Sequence, residues 1–263
     1  MKTDQVGKPK IAIFDFTDCE GCEVALISLR EKLLDLAGEV EIVNWRLAQK
    51  RADEGPYDAV LIEGTPVTKH EIESLKFLRS QTRFLIGLGS CATLGGIPGI
   101  IDKKARSFWY KKIYGDGYKP RGIDALPLTA YVRVDYLIHG CPVEKKEVVR
   151  IMEELLSGKE PTPRDYSVCF ECKLAGNPCR LLEKKICLGP ITTGGCGAIC
   201  VSGGSPCYGC FGLRQEAQVD NLLNTLYKFS DSSEVERYFS MFLKKTPEYS
   251  KLFSKSKRTD GKN

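Results

Sequence analysis

The chain has 263 residues, enough for one good hydrophobic core with an appendage or for two small domains. Hydrophobic residues make up 42% and charged residues 28%, the balance of a soluble globular protein, and the net charge of +5 is mild. No apolar run approaches the ~18–20 residues that a membrane span requires. Residues 1–10, MKTDQVGKPK, lack the apolar stretch and twin-arginine pair of an export signal. Lys and Arg crowd only near the end, in KLFSKSKRTDGKN, which reads as a solvated tail and not as a nucleic-acid arm. The expectation is a cytoplasmic protein with neither membrane nor nucleic acid as partner.

From residue 10 onward strand-like and helix-like periods alternate. KIAIFDF (10–16) reads as a strand, and Leu26, Leu29, Leu33 and Leu36 then recur at helical spacing over 23–36. VEIVNW (40–45) and YDAVLIEG (57–64) are two further strands. TKHEIESLKFLRS (68–80) is expected to be a helix capped by Thr68, with Glu71 three residues on. RFLIGLG (83–89) and VDYLIHG (134–140) are short apolar runs ending in glycine, suited to buried parallel strands. The segment 95–130 between them is irregular and aromatic-rich, an excursion over a face or edge. VEKKEVVRIMEELLSG (143–158) puts Val148, Ile151, Met152 and Leu155 on one helical face and stops at Gly158. This succession predicts an α/β fold with a doubly wound parallel sheet.

GKEPTPRDYS (158–167), rich in proline and charge, marks a boundary between expected domains 1–157 and 158–263. Residues 168–212 then hold eight of the twelve cysteines among glycines and prolines, with hardly any hydrophobic period. Side chains alone cannot give such a segment a core. Helical spacing returns over 215–229 (Val219, Leu222, Leu223, Leu226) and 233–245 (Val235, Tyr238, Phe239, Phe242), and these helices are expected to pack back onto the body.

Twelve cysteines are the outlier. A reducing cytoplasm keeps thiols reduced, so the count points to metal. With only His70 and His139 besides, sulfur must do most of the holding, and soft thiolate sets select zinc or iron–sulfur clusters. Cys19 and Cys22 follow the first strand, Cys91 follows RFLIGLG and Cys141 follows VDYLIHG. The carboxyl ends of parallel strands lie along one edge, where ligands bind at the topological switch point, so these four thiols converge. Glycines 21, 89, 95, 96 and 140 suit loops that turn tightly and let backbone approach a bulky group. Four thiolates there can hold a cuboidal 4Fe–4S cluster or one zinc. The other eight are spaced C-x2-C-x6-C-x7-C (Cys169, Cys172, Cys179, Cys187) and C-x3-C-x6-C-x2-C (Cys196, Cys200, Cys207, Cys210), two consecutive fours by the simplest partition. Interleaving of the two sets is the alternative, although the C-x2-C-x2-C-x3-C-P run of two-cluster ferredoxins is absent. Three clusters in one small protein suggest a chain of redox centres.

Blander readings compete at each point. A thioredoxin-like pair fits the strand-to-helix position of Cys19 and Cys22, where a helix N-terminus lowers thiol pKa, but leaves Cys91 and Cys141 unexplained. GLGSCA (87–92) formally matches a dinucleotide G-x-G-x-x-A, yet sits in a late turn with a thiol inside it. His139 is expected to be a packing or hydrogen-bonding residue at a strand end, and Glu20 and Glu23 solvated acids at a helix start, with tuning of a cluster or carrying protons as the alternative. A structural zinc-binding interaction module is the competing function class.

DCEGC, GSCATLGG, HGCPVE and the run CLGPITTGGCGAICVSGGSPCYGC resemble the small subunit of nickel–iron hydrogenases, above all the delta subunits of the cytoplasmic, NAD(P)-linked sulfhydrogenase type. The likeness spans roughly residues 10–212. It implies a flavodoxin-like first domain without flavin, three 4Fe–4S clusters, a nickel–iron large subunit as partner, and onward transfer to flavin/NAD(P) and iron–sulfur subunits. By the same resemblance Cys19, Cys22, Cys91 and Cys141 hold the proximal cluster, Cys169, Cys172, Cys179 and Cys187 the distal one, and Cys196, Cys200, Cys207 and Cys210 the medial one. Many periplasmic relatives use histidine as the first distal ligand where this chain has Cys169, and some keep only three medial cysteines where this chain has four. The cluster-bearing relative in complex I has adjacent cysteines, and no Cys-Cys pair occurs here. An F420-linked hydrogenase or a hydrogenase-like sensor are the neighbouring readings.

Overall fold

A computed structural model describes residues 7–253 apart from 51, 120 and 121. Its centre is a five-stranded, wholly parallel sheet in the order β2-β1-β3-β4-β5, the flavodoxin order. The strands are β1 Lys10–Asp15, β2 Glu41–Trp45, β3 Tyr57–Glu63, β4 Thr82–Leu88 and β5 Tyr136–Ile138. Alternate side chains feed two cores because successive Cβ atoms point to opposite faces. Ile11, Ile13, Ala59, Leu61, Ile86 and Leu88 meet Leu26 of α1 (Gly21–Ile27) and Val148, Ile151 and Met152 of α6 (Lys145–Leu156). On the other face Ala12, Val60, Ile62 and Leu85 meet Leu75 and Leu78 of α3 (Lys69–Gln81). The expected cap is present at α3. The Thr68 hydroxyl accepts the Glu71 N–H at 3.2 Å, and the Glu71 carboxylate accepts the Thr68 N–H at 2.8 Å.

Four expectations need correction. The helix expected over 23–36 is two, α1 and α2 (Glu31–Glu39), broken where Arg30 takes φ 54°. Ser28 bonds back to the Val24 carbonyl at 2.8 Å, which competes with continuing the backbone ladder. β5 is shorter than the run 134–140: at its start the Asp135 N–H donates to the Leu85 carbonyl (2.9 Å), but the Leu85 N–H goes to the Asp135 carboxylate (2.8 Å), which also pairs with Arg79. The segment 95–130 hides a helix, α5 (Lys103–Tyr114), capped by Asp102 at the Ala105 N–H; among its described side chains none is buried, so no apolar stripe announced it. Farther on, α9 (Val219–Leu226), α10 (Ser232–Ser240) and α11 (Pro247–Phe253) pack mainly on Ile186, Leu188 and Ile191 of the cysteine-rich segment, and not on the sheet.

That cysteine-rich segment contains α7 (Val168–Leu174), α8 (Ile199–Ser202) and a small core of its own. Val168, Ala198 and Val201 are joined there by Cys172, Cys187 and Cys207, so thiols stand in for the missing hydrophobes. α6 and the boundary stretch are tied by Glu147, whose buried carboxylate takes hydrogen bonds from Arg150 and from Arg164 (2.9 Å).

Thr68→Ala removes one reciprocal cap and should cost about 1 kcal/mol. Urea titration should then show a lower midpoint with an unchanged slope.

Candidate metal-cluster sites

The first four cysteines lie where the sheet's carboxyl edge was expected to gather them. Cys19 precedes α1, Cys22 lies in its first turn, Cys91 lies in α4 (Gly89–Leu94) and Cys141 follows β5. The loops are cross-tied: Ser90 N–H bonds the Gly140 carbonyl at 2.7 Å, and Thr17 and Thr65 exchange backbone bonds at 3.2 Å. Glycine is required where sulfur comes close. A Cβ on Gly89 (φ +82°) would stand 2.3 Å from the Cys22 sulfur, and one on Gly96 (φ +39°) 3.0 Å from that of Cys91.

Sequence reasoning missed Glu63 at the end of β3, a residue only 2% exposed. Its two carboxylate oxygens accept the N–H groups of Cys22 (3.0 Å) and Glu23 (2.7 Å), pinning the first turn of α1 to the sheet. The available signal was an acid closing the apolar run AVLI of the strand YDAVLIE. Glu23 corrects a second expectation. It is fully buried, not solvated; one oxygen accepts the Trp45 indole N–H at 2.7 Å, the other has no partner, and burial raises its pKa to about 7. Glu20 is held by Arg46 at the rim. His139 serves as the expected strand-end hydrogen-bonding residue, its Nδ1 lying 2.7 Å from the Thr93 hydroxyl, and burial pulls its pKa down to about 4.

Burial, reinforced by the Glu63 charge, pushes the Cys22 thiol far up, and a Cys19–Cys22 pair acting alone leaves unexplained why Cys141 lies close enough to raise the Cys91 thiol. The Cys22 sulfur also fills the space beside Gly89 that a pyrophosphate would need, so GLGSCA binds no dinucleotide in this way.

The remaining eight thiols are brought together in the C-terminal half. Cys169 and Cys172 share one face of α7, and a Cβ on Gly189 would lie 3.3 Å from the Cys169 sulfur and 3.6 Å from that of Cys187. Charge coupling joins Cys169 to Cys187, Cys172 and Cys179, and Cys210 to Cys196 and Cys200. Cys196, Cys200, Cys207 and Cys210 all line one cavity of about 540 Å³, which Cys141 also borders. Contacts between groups follow a line. Cys141 and Cys210 border the same cavity, and the Cys207 N–H donates to the Cys187 sulfur at 3.3 Å.

The donor set fits iron–sulfur clusters. Burial, with repulsion among neighbouring thiols, raises Cys91 and Cys210 to about 12 and Cys169 and Cys196 to about 11. Thiolates so placed need cations beside them, and binding must expel protons. Backbone N–H groups already point at sulfur two residues upstream, from Gly189 to Cys187, Ala198 to Cys196 and Gly209 to Cys207. Among the described residues no three Cys, His, Asp or Glu side chains draw together as a single ion requires. One tetrahedral zinc would hold them on bonds of about 2.3 Å.

Residues 19–155 match the family described as NADH ubiquinone oxidoreductase, 20 Kd subunit, a span that includes all four strand-end cysteines. The chain is 38% identical over 235 residues to the sulfhydrogenase 2 subunit delta of Pyrococcus furiosus, covering 89% of this chain and 98% of that one. A chain in the crystal structure of an NAD+-reducing [NiFe]-hydrogenase in the H2-reduced state superposes with TM-score 0.51 at 26% identity, covering 59% of this chain and 95% of its own. The actinobacterial-type NiFe-hydrogenase from Ralstonia eutropha H16 shares the fold over 98% of this chain and 93% of its own, with TM-score 0.54 at 17% identity.

Gly89→Ala should drive the Cys22 sulfur out of place. Iron and acid-labile sulfide per chain should fall by about one cluster's worth, while Gly117→Ala, in open space and outside the left-handed region, leaves both unchanged.

Proposed function

The chain belongs to the NADH ubiquinone oxidoreductase, 20 Kd subunit family, and we propose that within it this protein is the electron-transfer small subunit of a nickel–iron hydrogenase, relaying electrons through three 4Fe–4S clusters. The observation that carries the reading is the linear contact of its three cysteine sets. The set Cys19, Cys22, Cys91 and Cys141 meets the set Cys196–Cys210 where Cys141 borders the cavity that Cys196, Cys200, Cys207 and Cys210 line, and that set meets Cys169–Cys187 where the Cys207 N–H donates to the Cys187 sulfur. That order supports the proximal, medial and distal places that the resemblance implies, in which the last set in sequence is the middle one in space. The residues 1–157 and 158–263 are proposed as the two domains, the first carrying the proximal site.

When bound, each cluster supplies a one-electron carrier whose potential depends on ligands, hydrogen bonds to sulfur and local charge. The protein's part is to hold and tune. Glu63 fixes Cys22 against the sheet, the amides of Gly189, Ala198 and Gly209 donate to ligand sulfurs, and buried side chains exclude water. Cys19 and Cys141 are exposed; this edge is the proposed seat of the partner bearing nickel and iron, where hydrogen is split. Transfer onward from the Cys169–Cys187 end would reach flavin/NAD(P) subunits. The Pyrococcus furiosus relative, a sulfhydrogenase subunit by name, and the NAD+-reducing [NiFe]-hydrogenase support such an assembly. No helix among the described residues is long and apolar enough to cross a membrane, and the proposed setting is the cytoplasm.

The complex purified anaerobically should be brown and yield about twelve iron and twelve sulfide per copy of this chain. A colourless, zinc-loaded protein would overturn the reading. Cys19→Ser and Cys141→Ser should each abolish hydrogen-dependent dye reduction while the co-purified large subunit keeps its nickel; retained turnover would contradict the proximal role.

A further inference from the structure

Glu171 lies on α7 between Cys169 and Cys172, and its carboxylate turns towards the loop that carries Cys196. One oxygen accepts the Gly195 N–H at 2.8 Å and the Tyr166 hydroxyl at 3.3 Å. The other accepts the Gly197 N–H at 3.0 Å and lies 3.9 Å from the Cys196 sulfur. Gly195 (φ +122°), Gly197 (φ +65°) and Ala198 (φ 52°) all have left-handed backbone, a run that forms a concave nest of amides suited to an anion. Here the Gly195 and Gly197 amides of that nest go to a carboxylate from the neighbouring cysteine set.

We propose that Glu171 is a positioning residue that couples the two C-terminal clusters. It locks the Cys196 loop to the helix carrying Cys169 and Cys172, and it sets one fixed negative charge 3.9 Å from the Cys196 sulfur. The proposal rests on the reading that both cysteine sets hold 4Fe–4S clusters. Both oxygens are acceptors, so glutamine cannot replace the group: its NH2 would face a backbone N–H. A carboxylate beside the Cys196 sulfur, on the helix that carries Cys169 and Cys172, opposes the arrival of an electron at either site, most at the first. Its removal should therefore favour the reduced form of both.

The test uses the complex purified anaerobically with its partner subunits, as wild type, Glu171→Gln and Glu171→Asp. Iron and sulfide are counted, and each cluster's midpoint potential is read by redox titration followed by electron spin resonance. Glu171→Gln should raise the potentials of both C-terminal clusters and leave the proximal one unmoved. Glu171→Asp, shorter but still charged, should bring both back towards wild type. Wild-type potentials in both clusters of Glu171→Gln, or an equal rise in Gln and Asp, would overturn the proposal alone. Should Gln lose iron, the Asp variant decides: a potential raised as far as in a Glu171→Ala control overturns it. A wild-type complex with fewer than three clusters overturns the underlying reading and this proposal with it.

Discussion

The structure depends on what it costs to bury sulfur near sulfur. Cys22, Cys172, Cys187 and Cys207 are buried, and desolvation together with their neighbours' charge opposes the thiolate form at nearly every site for which a shift is resolved. As thiols they fill space in place of hydrophobes, as in the small core around Val168 and Val201. As thiolates they need cations, with hydrogen bonds to what remains of their charge. The positive-φ glycines, the amides aimed at sulfur and the cavity bordered by five cysteines all answer that one requirement.

Two carboxylates play corresponding parts in the two halves of the chain. Glu63 spends both oxygens on the amides that open α1, and Glu171 spends both on the amides around Cys196. Neither is a ligand. Each ties a cysteine-bearing turn to a different element, so that ligand geometry is set by the fold and not by the loop alone. A carboxylate is suited to this because it can accept on both oxygens, and its charge strengthens each bond.

The C-terminal helices complete the arrangement from behind. Leu222, Leu226, Val235 and Phe239 bury Ile186, Leu188 and Ile191, which flank Cys187. The cysteine-rich segment is thereby held between its own sulfur sites and a conventional hydrophobic layer.

The order of elements was legible because periodicity and caps are local: the alternation of KIAIFDF, the Thr68–Glu71 box and the stop at Gly158 need only neighbours along the chain. The convergence of Cys19, Cys22, Cys91 and Cys141 was legible too, since parallel strands must end along one edge. What the chain's own pattern left open was whatever depends on contacts across it. The break at Arg30, the shortening of β5 at Asp135, the burial of Glu23 and the roles of Glu63 and Glu171 each arise from a partner tens of residues away or from a backbone turn with no hydrophobic signature. The sequence by itself determined which sulfurs are available and that four of them follow strand ends. Only the tertiary structure decided that Cys141 borders the cavity lined by Cys196, Cys200, Cys207 and Cys210 and that Cys207 meets Cys187, because spatial order follows from packing, and cysteine spacing says nothing of which loops touch.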